Sequence, residues 1–260
     1  TIGGGPSEEA LAAEVAAGLA RGALRPRLVV QTHRPGAPTA SGLACGGDQT
    51  VAVASLAPAQ AAGVAEVADA LAAGRRAGWT LTDGGWAPGI AGGAGFARRG
   101  DGWGFAHESG PTHAVWVVGA GHVGRALVPL LLALDFRVGV IDERPGLAAT
   151  AGGHAAYDLA YERLAEVVAP GERVFVTLAT HAPDRDAAAL DAVAGLGFGY
   201  VGVIGSAAKV HRLLSGRGRT PSLHAPMGLP IGSRTPEEVA VSVAAELVAV
   251  RAASRCLSLV

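Results

Sequence analysis

The chain has 260 residues, 50% of them hydrophobic and 17% charged, with a formal net charge of −1. This composition excludes a disordered chain and supplies enough apolar side chain for one large core or two modest ones. The near-zero charge, without a basic stripe carrying interleaved aromatics, excludes nucleic acid as a partner. The longest strongly apolar stretch, residues 126–134, is too short to span a bilayer and contains Pro129, so no membrane partner is expected.

Residues 1–5 form a glycine-rich turn, and Ser7 is expected to cap a helix with Glu8 and Glu9 in its first turn, the sign favoured at that end. The chain opens at Thr1 inside that turn, which leaves room for an upstream segment. The helix closes near Gly18 or Gly22, and residues 27–32, rich in Val and Leu, predict a strand. Residues 33–48 hold two prolines and four glycines before the next predicted strand at 50–54. A segment of that length without regular structure reads as an ordered or functional loop. Residues 58–73 predict a helix with Val64, Val67 and Leu71 on its core face. Short strands follow at 79–82, 95–98 and 103–105, and residues 108–112 read as a linker. The expected organisation is therefore a small α+β domain over 1–108 and a second domain over 109–260.

The second domain opens on Val115 to Gly124, Val-Trp-Val-Val-Gly-Ala-Gly-His-Val-Gly. An apolar strand feeds three glycines spaced G-x-G-x-x-G (Gly119, Gly121, Gly124), and a helix is predicted over 123–134. In that context Gly119 permits the sharp turn, Gly121 lets a phosphate approach bare backbone, and Gly124 lets helix pack on strand. The N–H groups opening the helix then face an anion. A second predicted strand, 137–141, ends at Asp142, 23 residues after Gly119, where a ribose-binding acid falls in dinucleotide folds. Alternation continues with 161–168, a strand at 174–178, a helix at 186–196, a strand at 200–204 and a helix at 207–214. The fold class is thus α/β, a Rossmann-like parallel sheet preceded by a smaller α+β domain. Residues 221–233 read as a Pro/Gly loop. Thr235, Pro236 and Glu238 then give the capping box of a last helix whose apolar face is Val239, Val243, Leu247 and Val250.

In an open parallel sheet the ligand lies beyond the carboxyl ends of the strands. Here those ends carry Gly119, Gly121 and His122, then Asp142 and Arg144, then Thr180, His181 and Asp184, then Gly205, Ser206 and Lys209. Each has a plainer reading. His122 also fits a solvent-facing residue at a helix start, Asp184 and Asp186 fit helix-opening acids, and Ser206 is a natural N-cap. Lys209, the single lysine, fits either a solvated surface position or a phosphate partner. For His181, at a strand end, the functional reading is favoured. Glu246 reads as the wet side of the last helix, with Ser242 four residues before it. Cys45 sits in Ser-Gly-Leu-Ala-Cys-Gly-Gly-Asp, where Gly46 and Gly47 leave the sulfur accessible to backbone amides that favour thiolate. Local sequence by itself favours a small buried hydrophobe there. The only other cysteine, Cys256, forms no C-x-x-C pattern with it, and with no signal segment in view a cytoplasmic location is expected.

Several of these pieces together resemble the XdhC/CoxI family, accessory proteins of xanthine dehydrogenase and related molybdenum hydroxylases. The matching segments are Thr1-Ile-Gly-Gly-Gly5, Ala44-Cys-Gly-Gly47, Gly119-Ala-Gly-His-Val-Gly124, Asp142-Glu-Arg144, and Thr180-His181 with Asp186. They continue with Tyr200 to Ser206 plus Lys209, and with His224-Ala-Pro-Met-Gly-Leu-Pro-Ile-Gly232 leading into Thr235-Pro-Glu-Glu238. The resemblance implies a non-catalytic chaperone that binds the molybdenum cofactor (molybdopterin), supports its sulfuration with a cysteine desulfurase, and delivers it to an apo xanthine dehydrogenase-type hydroxylase. It places Cys45 on the metal or its exchangeable sulfur and a phosphate at the Gly119 turn, and a homodimer is the family-based expectation. Where the family usually has arginine after the I-G-S triplet this chain has Ala207, and the upstream strand pair usual in the family does not precede the T-I-G-G-G turn. Two competing readings remain at this stage. One is an NAD(P)-dependent oxidoreductase using the same turn and Asp142, with His181 as proton donor; the other is a nucleotide-sensing Rossmann module.

Overall fold

A computed structural model describes residues 5–22, 24–32, 48–90, 94–218 and 220–256. The chain divides into two compact units, Thr1–Ala72 with Arg76–Ser109, and Ala73–Arg75 with Gly110–Val260.

The first unit opens with α1 (Gly5–Ala20), whose start precedes Ser7, so Ser7 lies within the helix's first turn. Gly22 follows the helix at φ +63, a left-handed position that glycine adopts without steric cost. β1 (Arg27–Thr32) and β2 (Asp48–Val53) form an antiparallel pair, Arg27 opposite Val53 and Thr32 opposite Asp48. A 3-10 turn at Pro58–Gln60 leads into α2 (Ala61–Ala72). The remaining strands, β3 (Ala77–Thr82), β4 (Gly85–Pro88), β5 (Gly95–Arg99) and β6 (Gly102–Ser109), make an antiparallel sheet in the order β4-β3-β6-β5. Residues 85–88 read as part of a turn in sequence; they become a strand because the Thr82–Gly85 reversal folds Trp86 opposite Leu81. Likewise Glu108 pairs with Gly78 and belongs to β6, not to a linker. Trp79, Phe105 and His107 form a ring cluster on this sheet, with centroids 5.5 to 5.9 Å apart.

The second unit is a six-stranded parallel sheet. Its strands are β7 (Ala114–Val118), β8 (Arg137–Asp142), β9 (Ala155–Asp158), β10 (Val174–Leu178), β11 (Tyr200–Val203) and β12 (Leu223–His224). They lie in the order β12-β11-β10-β7-β8-β9. α3 (His122–Ala133) and α6 (Pro236–Cys256) cover one face, α4 (Pro183–Val193), α5 (Ala207–Leu214) and a 3-10 segment at Tyr161–Glu166 the other. The two-residue alternation of β7 sends Val115 and Val117 into the first core and Val118 into the second, which is why the strand reads as a continuous apolar run. Each fully buried Val, Leu or Phe of these layers contributes about 1.5–3 kcal/mol.

Two of these strands differ from the sequence expectation. β9 carries Ala-Ala-Tyr-Asp, largely exposed and without a β-branched residue, and β12 is a two-residue strand inside the stretch read as a Pro/Gly loop. Both are edge strands whose pairing comes from a neighbour and not from their own propensity. The last helix starts as its sequence predicts: Glu238 N donates to Thr235 Oγ1 at 3.2 Å, and Thr235 N donates to Glu238 Oε2 at 3.2 Å.

Candidate ligand-binding rim

Strand order reverses between β7 and β10. From β7 the chain crosses through α3 to β8, and it later returns to β10 on the other side. The crevice beyond the carboxyl ends of this pair is where doubly wound folds bind ligands. The three glycines of the turn have distinct steric roles. Gly119 adopts φ +104, and a Cβ there would lie 2.3 Å from the carbonyl oxygen of Ala179 at the end of β10. A Cβ on Gly124 would lie 2.0 Å from the Gly119 oxygen, so the helix packs this close only without one. At Gly121, the N-cap of α3, nothing stands within 4 Å. Two glycines close the turn, and the third leaves bare backbone open at a helix N-terminus. His122, the first residue of α3, is exposed.

Asp142, at the end of β8, is fully buried, and both its oxygens are taken by its own chain. Oδ2 accepts from Ala120 N at 2.7 Å and from Arg144 Nη2 at 2.7 Å; Oδ1 accepts from Arg144 N at 2.9 Å and Arg144 Nε at 2.8 Å. Burial works to raise its pKa, but the hydrogen bonds from Arg144 and Ala120 outweigh it and hold the carboxyl below the usual aspartate value. A depressed folded-state pKa contributes stability that is complete above the unfolded value and lost as pH falls through the folded one. Asp142→Asn is therefore expected to cost about 2 kcal/mol at pH 7. Guanidinium denaturation at descending pH should show that gap closing as pH falls below the ordinary aspartate range and through the depressed folded-state value; a gap of constant size would contradict the assignment. Tyr161, fully buried beneath this corner, has its phenol pushed up to about 12 by burial, with Asp142 adding to the shift.

Across the switch point, Thr180 follows β10, and its Cα would lie 3.0 Å from a Cβ at Gly119. Asp186, in the first turn of α4, is fully buried and accepts from Thr180 N at 3.1 Å and Thr180 Oγ1 at 2.7 Å. Its other oxygen pairs with the ammonium of Lys209. That ammonium reaches Asp186 from α5, where Ser206 is the N-cap and accepts from Lys209 N at 3.3 Å. The chain's only lysine is thus drawn back to the switch point by a buried acid. His181 is 41% exposed, with Nε2 3.9 Å from Glu143 Oε1. Glu143 itself pairs with Arg185, which also grips Glu162 at 2.9 Å. Asp184 is exposed at the start of α4.

Glu246 overturns its sequence reading. It lies on the inner side of α6, because the loop after β12 folds back over that helix. It accepts from Tyr200 Oη at 2.6 Å and Gly228 N at 2.7 Å, and pairs with His224 Nδ1 at 3.0 Å. Burial and the Glu246 carboxylate together push the Tyr200 phenol far above its usual range. Ser242, one turn earlier on α6, is buried and donates to the Leu229 oxygen at 2.6 Å. A glutamate interrupting an apolar helical face is a signal for such a hub, but its partners on β11 and β12 are not adjacent in sequence. Cys45, Gly46 and Gly47 lie outside the described residues. Among the described residues no group of three or more His, Cys, Asp or Glu side chains is placed to hold a metal, and no helix is long and apolar enough to cross a membrane.

Strand order, glycine turn and acid at the second strand end together define a Rossmann-type domain. Residues 115–247 match the XdhC Rossmann domain, and the chain belongs to the XdhC family. It is 39% identical over 74 residues to a probable xanthine dehydrogenase subunit of Bacillus subtilis (strain 168), covering 28% of this chain and 22% of that protein. It is 35% identical over 150 residues to the uncharacterized protein YqeB of Escherichia coli (strain K12), covering 52% of this chain and 27% of that one. The matches thus span about a quarter of these curated relatives' lengths. The fold is shared with a crystal structure of a xanthine dehydrogenase from Bacillus halodurans at a TM-score of 0.73 and 21% identity, over 96% of this chain and 82% of that one.

Proposed function

We propose that this chain is an accessory protein of a xanthine dehydrogenase-type molybdenum hydroxylase that carries the molybdenum cofactor as cargo. The carrying observation is the opening at Gly121. It is backbone-lined, stands at the N-terminus of α3 beside the β7–β10 switch point, and has room for a phosphate where a side chain would otherwise stand. The terminal phosphate of the pterin group fits that opening, with the Lys209 ammonium supplying positive charge from across the switch point. Cys45, flanked by Gly46 and Gly47, offers the soft sulfur ligand that suits molybdenum. In this role the chain supports sulfuration of the cofactor by a cysteine desulfurase and hands the cofactor to the apo-hydroxylase.

The competing reading is a dinucleotide-dependent oxidoreductase or nucleotide sensor. It requires Asp142 to hold a ribose diol. That carboxylate is fully buried and already accepts four hydrogen bonds from Ala120 and Arg144, which favours the carrier. Chain purified from cells with intact cofactor synthesis is expected to retain molybdenum and pterin fluorescence, and Cys45→Ala to lose most of the metal. Tight NADH binding with substrate turnover and no retained molybdenum would decide for the dehydrogenase.

A further inference from the structure

The Glu246 hub has a feature that loop anchoring does not require. His224 ends β12, the last strand of the sheet, and its imidazole stacks on the Tyr200 ring at 4.4 Å. Its Nδ1 is engaged by Glu246 at 3.0 Å. In the neutral ring a carboxylate at Nδ1 selects the tautomer with the proton on that nitrogen, which leaves the Nε2 lone pair as an acceptor. Among the described residues no hydrogen bond is made at Nε2. The side chain is 28% exposed.

The placement of this acceptor follows from the sheet. β12 is parallel to β11, with His224 opposite Gly202, so His224 lies toward the carboxyl edge that also carries the glycine turn. Gly202 is required there, because a Cβ would lie 2.5 Å from the Tyr200 ring and 2.9 Å from Met227 Sδ. Between β7 and β12 stand β10 and β11, three strand spacings or roughly 14 Å in all. We infer that His224 is a ligand contact: its Nε2 accepts a hydrogen bond from an N–H group of a heterocycle whose phosphate end sits at the Gly119–Gly124 turn, with Glu246 as the positioning residue. The ligand class is a phosphate joined by a short chain to a nitrogen heterocycle bearing ring N–H or amino groups. Both a pterin phosphate and a nucleotide carry that chemistry. The inference rests on the proposed carrier function for its phosphate anchor.

Footprinting with diethyl pyrocarbonate, which acylates exposed unprotonated imidazole nitrogen, tests the contact. His224 should react in the free chain. It should be protected at least about fivefold, the scale of one hydrogen bond, by molybdenum cofactor released from a hydroxylase, and not by inorganic phosphate alone. Protection by NADH in place of the cofactor would keep the contact and assign it to a nucleotide. If the cofactor is retained while His224 reacts at its free rate, the inference falls and the carrier reading stands; if neither ligand is retained, both fall. Glu246→Leu, which keeps the bulk but offers no acceptor to Nδ1–H, should lower cofactor affinity roughly tenfold while the ¹⁵N shifts of His224 lose their Nδ1–H signature. A changed tautomer with unchanged affinity would overturn the positioning role.

Discussion

A chain carrying Gly119→Ala is expected to lose about 3–5 kcal/mol of stability in its second unit, the sum of a strained backbone and an overpacked core position. Thermal unfolding should register this as a fall of roughly 10 °C in Tm. The strain has no outlet. Gly119 sits at φ +104, with the carbonyl oxygen of Ala179 only 2.3 Å from where the new methyl would be. Both backbones are also pinned, Gly119 N donating to Ile141 O at 2.8 Å and Ala179 N to Val118 O at 2.8 Å. Gly121→Ala is the informative partner. With nothing within 4 Å and an ordinary φ of −73, its methyl enters open space, so the melt should stay within about 2 °C of wild type. That methyl nevertheless occupies the approach to the α3 N-terminus, and retained molybdenum and pterin should drop several-fold. Full retention by a folded Gly121→Ala chain would remove the turn from the binding site.

The second large effect is expected at Lys209. Lys209→Ala strands the fully buried Asp186 carboxylate with only the two hydrogen bonds from Thr180, and should cost about 3 kcal/mol in a denaturant titration. Lys209→Met combined with Asp186→Asn removes both charges, keeps the amide oxygen as an acceptor for Thr180, and should recover most of that loss. The same double variant should still fail to hold the cofactor, since it lacks the positive group at the switch point. Stability and binding would then move in opposite directions along one mutant series. Because methionine keeps an apolar stem over Gly205, a double variant as unstable as Lys209→Ala would show that the ion pair itself, and not the stranded carboxylate, sets the cost.

The helices and strands that build the second unit's core were legible because each has a local cause. Val174 to Leu178 is an apolar β-rich run bounded by turns, Thr235 to Glu238 spells its own cap, and the spacing of Gly119, Gly121 and Gly124 dictates a strand, a turn and a helix. Local cause failed where an element exists through its neighbour. β4, β9 and β12 have weak propensity and are strands because another strand offers them hydrogen bonds. The start of α1 also differs from its local signal: Ser7 has the composition of a cap, yet the helix begins at Gly5.

The candidate site divides along the same line. By itself the sequence determined the class of fold, the position of the glycine turn and the set of polar residues at the strand ends, since period, glycine spacing and the order of elements along the chain are one-dimensional properties. Only the tertiary structure decided how those polar groups are used. It buried Asp142 under Arg144, drew Lys209 onto Asp186, and turned Glu246 from an outward-facing helix residue into the acceptor for Tyr200, His224 and Gly228. The physical reason is that a buried or half-buried carboxylate must find donors wherever the fold brings them, here across as many as 46 residues of chain, and no local pattern encodes that meeting.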